Sequence, residues 1–169
     1  VYNPNTNNDQ NTSITVSIDD GDEDSSGALT GVIDLIATPD NDAPMATNLT
    51  SNVAYNEGDT NVAIPNIVVS DVDTGEVITA TLTLADIRTG NLSANDGASY
   101  NPTSGVWTIT DTVANVNTAL ANLVYNPNTN NDQNTSITVS IDDGDEDSSG
   151  ALTGVIDLIA TPDNDAPMA

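Results

Sequence analysis

Ile78-Thr79-Ala80-Thr81-Leu82-Thr83-Leu84 alternates apolar with hydroxyl-bearing residues without a break. A period of two is the repeat of a β-strand, whose successive side chains point to opposite faces. Ile78, Ala80, Leu82 and Leu84 are therefore expected on a core and Thr79, Thr81 and Thr83 on the other side. Outward from this stretch the same chemistry recurs, with Thr, Val, Ile and Leu in short runs punctuated by Gly, Asn, Asp and Pro. Upstream, one strand is expected over Asn48 to Tyr55, stopping at Asn56-Glu57-Gly58-Asp59. A second spans Val62 to Ser70, interrupted by Pro65 as at an edge or bend, and runs into Asp71-Val72-Asp73-Thr74-Gly75-Glu76.

Downstream, a short strand is expected near Leu92 and another over Val106 to Thr110, with Trp107 and Ile109 inward by parity. Asp111 or Thr112 then stands where an N-cap belongs, and Val113, Val116, Leu120 and Leu123 mark one face of a short helix near 112–123. After an Asn-rich loop from Asn126 to Asn134, Ile137, Val139 and Ile141 form a sixth strand ending in Asp142-Asp143-Gly144-Asp145-Glu146-Asp147. The last strand runs over Leu152 to Thr161. Seven strands, short turns and one crossover helix describe an all-β fold, a seven-stranded Greek-key β-sandwich of cadherin-like or immunoglobulin-like type. There is no cysteine, so the disulfide of antibody domains is excluded.

The chain also repeats itself. Residues 1–46 are identical, letter for letter, to residues 124–169, a spacing of 123 residues (124 minus 1). Each copy carries Thr-Pro-Asp-Asn-Asp-Ala-Pro, at Thr38 to Pro44 and again at Thr161 to Pro167. Two prolines stiffen each of these segments and keep their acids out of helix or sheet centre, as at a joint between domains. The expected organisation is a C-terminal part of a preceding identical repeat (1–38), a joint (39–46), a complete domain (47–161) and the start of the next joint (162–169). The leading part supplies two strands without partners, which is marginal in isolation. It is expected to be disordered or to pack against a neighbouring molecule.

Net charge is −25, from 26 acidic residues against the single Arg88, with no His and no Cys. Nucleic acid and anionic membrane are poor partners for such a chain, and thiolate or imidazole metal chemistry is excluded. Without His, Cys or Lys, catalysis would rest on a carboxylate pair, and no two acids stand in an evident apolar pocket. The expectation is that the chain is not an enzyme and takes no small-molecule substrate.

With strands alternating between two ends of a sandwich, Asp71 and Asp73 are expected to meet Asp142, Asp143 and Asp145 beside the incoming joint at Asp40, Asn41 and Asp42. Glu57 and Asp111 are expected at the other end with Asp163, Asn164 and Asp165 of the outgoing joint. So many carboxylates repel one another unless a cation sits among them. Ca²⁺ suits an all-oxygen donor set of tolerant geometry. Singly, each has a plainer reading: turn residues for Asp71 and Asp73, a helix cap for Asp111, solvation for Glu57. An EF-hand is excluded for the run from Asp143, since Ser148 stands where that loop needs Gly and Gly154 where it needs Glu.

An ordered set of motifs resembles the cadherin-like extender repeats of giant bacterial RTX adhesins, especially those of marine bacteria. The set comprises Asn-Asp-Ala-Pro at Asn41 to Pro44 and Asn164 to Pro167, Tyr55-x-Glu57, Val69 to Gly75, Thr81 to Leu84, Gly105 to Thr110, Val116 to Leu123 and Ile141 to Gly144. The resemblance implies calcium ligands at positions matching Glu57, Asp111, Asp71 with Asp73, and Asp40 to Asp42. Two departures are plain: Thr38 stands where cadherin linkers carry their first Asp, and no Asp-Arg-Glu triplet surrounds Asp111. What it implies is a calcium-rigidified spacer on the outside of a bacterial cell, its partners the neighbouring identical repeats. The alternative is a module of the same surface protein that binds carbohydrate, ice or another cell, with the Asn-rich loop and the third-strand threonines as its hints.

Overall fold

The computed structural model describes residues 1–5, 8–21, 27–38, 41–73, 75–144 and 150–164. The chain divides into two compact units, Val1–Asn41 and Asp42–Ala169. The division falls inside the first Pro-Asp-Asn-Asp-Ala-Pro segment, where the joint is expected.

The leading unit is a hairpin of β1 (Thr12–Ile18) and β2 (Leu29–Leu35), paired antiparallel from Thr12↔Leu35 to Ile18↔Leu29. Asn11 accepts a hydrogen bond at Oδ1 from the Ala37 N–H (2.9 Å), closing the open end.

The second unit is the sandwich. Its strands are β3 (Met45–Thr47), β4 (Ser51–Asn56), β5 (Val62–Ala63), β6 (Val68–Ser70), β7 (Val77–Leu84), β8 (Gly90–Leu92), β9 (Ser99–Asn101) and β10 (Val106–Thr112). The helix α1 (Val113–Ala121) follows, then β11 (Val124–Pro127), β12 (Thr135–Asp142) and β13 (Leu152–Thr161). One layer is a six-stranded sheet in the order β4-β13-β12-β7-β10-β9. The three-stranded sheet β5-β11-β8, the ribbon β3-β6, α1 and the connecting residues Ile64, Ile67 and Leu123 contribute the other apolar residues of the core. All pairings are antiparallel except β4 with β13.

β7 occupies the middle of the sheet, and its alternation is read out as expected. Ile78, Ala80, Leu82 and Leu84 are fully buried, while Thr79, Thr81 and Thr83 are half-buried on the outer face. Trp107 and Ile109 face inward from β10, and Ile137, Val139 and Ile141 from β12. Val116, Ala119 and Leu120 close the core from α1, whose N-cap is Thr112 rather than Asp111. Val113, expected on the same stripe, is only partly buried. On the outer face, Thr79, Thr81 and Thr83 stand across from Thr110, Thr108 and Val106 on one side and Asp142, Ser140 and Thr138 on the other.

The strand directions fix where each loop lies. β13 and β4 are parallel, β12 runs against them, β7 with them and β10 against them. β10 therefore finishes at the end of the sandwich where β7 and β13 begin, opposite to the expectation from simple alternation. The reason is β9, a three-residue strand antiparallel to β10 that the sequence reading passed over. One more strand between the fourth and fifth expected strands reverses the fifth. β11, also not foreseen because it lies in Val-Tyr-Asn-Pro, restores the direction for β12 and β13.

Candidate metal-binding ends

The acids of the second unit collect at its two ends because the strand interiors are taken up by apolar and hydroxyl residues. At the end where the chain enters lie Asp42, Asp71, Asp73, Glu76, Asp96, Asp111, Asp142 and Asp143. At the other lie Glu57, Asp59, Asp86, Asp132 and Asp163. Asp157 is the described acid left within a sheet strand away from both ends.

At the entry end, the backbone builds a short chain of contacts. β6 pairs antiparallel with β3, Ser70 opposite Met45, so the loop after Ser70 comes back beside the residues before Met45. The Asp42 N–H donates to Asp73 Oδ2 at 2.8 Å, and the Asp73 N–H donates to Asp71 Oδ1 at 2.9 Å. Asp71 Oδ2 is buried, and no hydrogen bond from a described residue reaches it. A buried carboxylate oxygen without a donor is costly, and a cation is one of the few things that satisfies it. The donor set around it is all oxygen, which fits Ca²⁺ in kind.

Asp142 and Asp143 belong to the same end, at the close of β12. Asp142 Oδ1 accepts the Gly144 N–H at 2.8 Å in an Asx turn, with Gly144 at φ +80° where a side chain would be strained.

Asp111 also lies here, not with Glu57. Its partner across the sheet is Ile78, one row from the pair of Asp142 and Thr79. It accepts from Asn115 Nδ2 (2.9 Å) and from the Thr112 N–H (2.7 Å), at the start of α1. Those two donors, the Asn115 amide first, hold its carboxyl below the usual carboxylate range.

At the exit end, the parallel pairing of β4 and β13 brings Thr161 opposite Asn56. The Glu57 N–H donates to the Thr161 carbonyl (2.9 Å), and the Asp163 N–H donates to Glu57 Oε2 (2.9 Å). Asp163 Oδ1 in turn accepts the Asn164 N–H at 2.8 Å. Glu57 thus lies beside Asp163, at the end of the sandwich where the two are expected together. Asp59, not singled out from sequence, caps the same turn by accepting the Asn56 N–H at 2.7 Å. The only cation of the side chains is spent locally: Arg88 forms a bidentate pair with Asp86, at 2.9 and 2.7 Å.

Asn41 is the last residue of the leading unit. Asp40, Asp145 and Asp165 lie outside the described residues. Among the described residues, no group of three or more Asp and Glu gathers closely enough to hold a metal ion by itself.

The Asn-rich loop has internal duties. Asn131 is buried and donates to the Tyr55 hydroxyl (2.6 Å), and Asn128 Nδ2 donates to the Arg88 carbonyl (2.8 Å). Sequence reasoning also passed over Asn117. Its amide bonds both ways with Val69, accepting from N–H and donating to the carbonyl at 2.8 Å each, so α1 is laced to the free side of β6.

No family model matches the chain, and no curated protein matches it. Among solved structures, the crystal structure of the human desmocollin-1 ectodomain is similar at 16% identity with a TM-score of 0.47, over 92% of this chain and 28% of that one.

Proposed function

We propose that the chain is a piece of a tandem-repeat extracellular protein whose repeats act as spacers, stiffened at their joints by Ca²⁺. The observation that carries this reading is the tie from the joint to the sandwich: the Asp42 N–H on Asp73, the Asp73 N–H on Asp71, and the buried Asp71 Oδ2 with no described donor. Asp71, Asp73 and Asp42 would supply oxygens, with Asp111, Asp142 and Asp143 standing at the same end and Asp40 and Asp145 adjacent in sequence. Glu57 and Asp163, with Asn164 and Asp165, would serve the exit joint in the same way. Bound Ca²⁺ would supply the positive charge that so acidic an end otherwise lacks. The chemistry is structural and requires no catalytic group. In the finer form suggested by the motifs, the parent is an RTX adhesin on a bacterial surface and the spacer projects a distal adhesive region.

The test is thermal unfolding with calcium and with chelator. Extracellular modules bind calcium at roughly 10⁻⁴ to 10⁻³ M, and one site at about 100 times its Kd adds on the order of 2.7 kcal/mol. A rise in Tm of about 10 °C is expected, lost in Asp71→Asn and Asp73→Asn. An unchanged Tm overturns the reading. A second reading, a sugar- or ice-binding module, draws on the hydroxyl-lined outer face formed by β10, β7 and β12. Glycan arrays and an ice-recrystallisation assay decide it.

A further inference from the structure

Asp-Gly occurs three times in the chain, at Asp20-Gly21, Asp96-Gly97 and Asp143-Gly144. The pair is chemically vulnerable, because glycine has no Cβ to shield its nitrogen and leaves the backbone free to bring the aspartate carboxyl onto it. The structure sets the three apart. The Gly144 N–H donates to Asp142 Oδ1 at 2.8 Å, and the Gly21 N–H donates to Asp19 Oδ1 at 2.9 Å. In both places the nitrogen is engaged by the carboxylate two residues back.

Asp96-Gly97 is built otherwise. It is the centre of a turn closed by the Ala98 N–H on the Asn95 carbonyl at 3.0 Å, with φ +55° at Asp96 and +88° at Gly97. Two positive φ values in succession are the type I′ pattern, in which the N–H of the second central residue takes no part in the closing bond. The Gly97 N–H has no acceptor among the described residues, and both residues are exposed. Asp96 Oδ2 accepts from Asn122 Nδ2 at 2.8 Å, at the C-cap of α1.

We infer that Asp96-Gly97 is a site of spontaneous covalent modification, isomerising to isoaspartate in the folded protein, and that the other two pairs are shielded. The Gly97 nitrogen bonds to Asp96 Cγ, and one carboxylate oxygen leaves as water, taking the amide proton and a proton from solvent. The product is a five-membered succinimide. Water then cleaves its bond between the nitrogen and the original main-chain carbonyl, which becomes a carboxylate and releases a proton. Asp96 is left joined to Gly97 through Cγ, with charge and composition restored and one methylene added to the main chain. No oxidant, metal or enzyme is required. The carboxylate now stands on Cα, so the tie to Asn122 is lost. The turn joins β8 to β9, which belong to different sheets, so the change falls on the crossing from one sheet to the other.

The test ages the full chain in chelator, so that any shielding of Asp143 is the chain's own. Trypsin cuts at the single Arg88 and separates Asp20 from the other two pairs. Electron-transfer mass spectrometry then locates isoaspartate within each fragment. A backbone N–H on a carboxylate is among the stronger hydrogen bonds, so modification at Asp96 should outpace that at Asp20 and Asp143 roughly ten- to a hundredfold. In denaturant the three rates should converge. Asp142→Ala frees the Gly144 N–H and should raise the rate at Asp143 toward that at Asp96. The inference is overturned if the folded chain modifies all three pairs equally, if Asp96 stays intact, or if Asp142→Ala leaves the rate at Asp143 unchanged.

Discussion

At the scale of single residues, environment rather than identity sets the consequence of a change, and the repeat supplies its own control. A Cβ on Gly154 would collide with the Leu49 backbone, whereas one on Gly31, the same position of the other copy, meets nothing within 4 Å. Gly154→Ala is therefore expected to lower the stability of the sandwich by about 1 to 3 kcal/mol. Gly31→Ala should stay within about 0.5 kcal/mol. Denaturant melts followed by Trp107 fluorescence for the first and by circular dichroism for the second check the pair. Charge behaves as locally. Hydrogen bonds donated by the Arg88 guanidinium, and then by the Arg88 backbone N–H, lower the Asp86 carboxyl from 3.8 to about 2. Because the folded value lies below the unfolded one, any stability from this pair is present above pH ~4. It is lost as pH falls through about 2. Titration of Asp86 by carbon NMR should show that midpoint, and Arg88→Gln should return it toward 3.8.

At the scale of elements, the helix is held by one amide as well as by its apolar face. Asn117→Ala leaves both backbone groups of Val69 without their α1 partner, at an expected cost of about 2 to 3 kcal/mol. Urea unfolding would measure it, and Asn117→Asp should recover only the half in which the side chain accepts. This contact was not legible in the sequence, where Asn117 reads as one polar residue on a helix among several. Strands with strict alternation were legible, β7 above all, because burial on one face leaves a period that survives without tertiary information. β3 and β9 were not, since three residues carry no period, and β11 was hidden by Asn126 and Pro127. Missing β9 had the larger effect. The gathering of acids at two ends followed from composition, but the assignment of Asp111 to one end depended on counting strands. The contacts of Glu57 with Asp163 and of Asp42 with Asp73 were foreseen in outline because both follow from strand ends that alternation placed correctly.

At the scale of the whole molecule, the governing quantity is a net charge of −25. Self-repulsion of that size destabilises any compact form, and it is relieved nonspecifically by salt as the screening length falls from about 10 Å at 0.1 M to about 3 Å at 1 M. Sodium chloride should raise Tm gradually over that range. Calcium should do so at roughly millimolar concentration, where screening alone changes little. The contrast separates a site from an ionic atmosphere. On the proposed reading, the tie of Asp42 to the Asp71 loop would let bound calcium act on the joint as well as on the fold. Small-angle X-ray scattering from a chain of several complete repeats, titrated with calcium and then with chelator, tests this most directly. The account predicts a maximum dimension near the summed lengths of the domains with calcium, contracting when chelator is added. A scattering profile that is the same in both would contradict it.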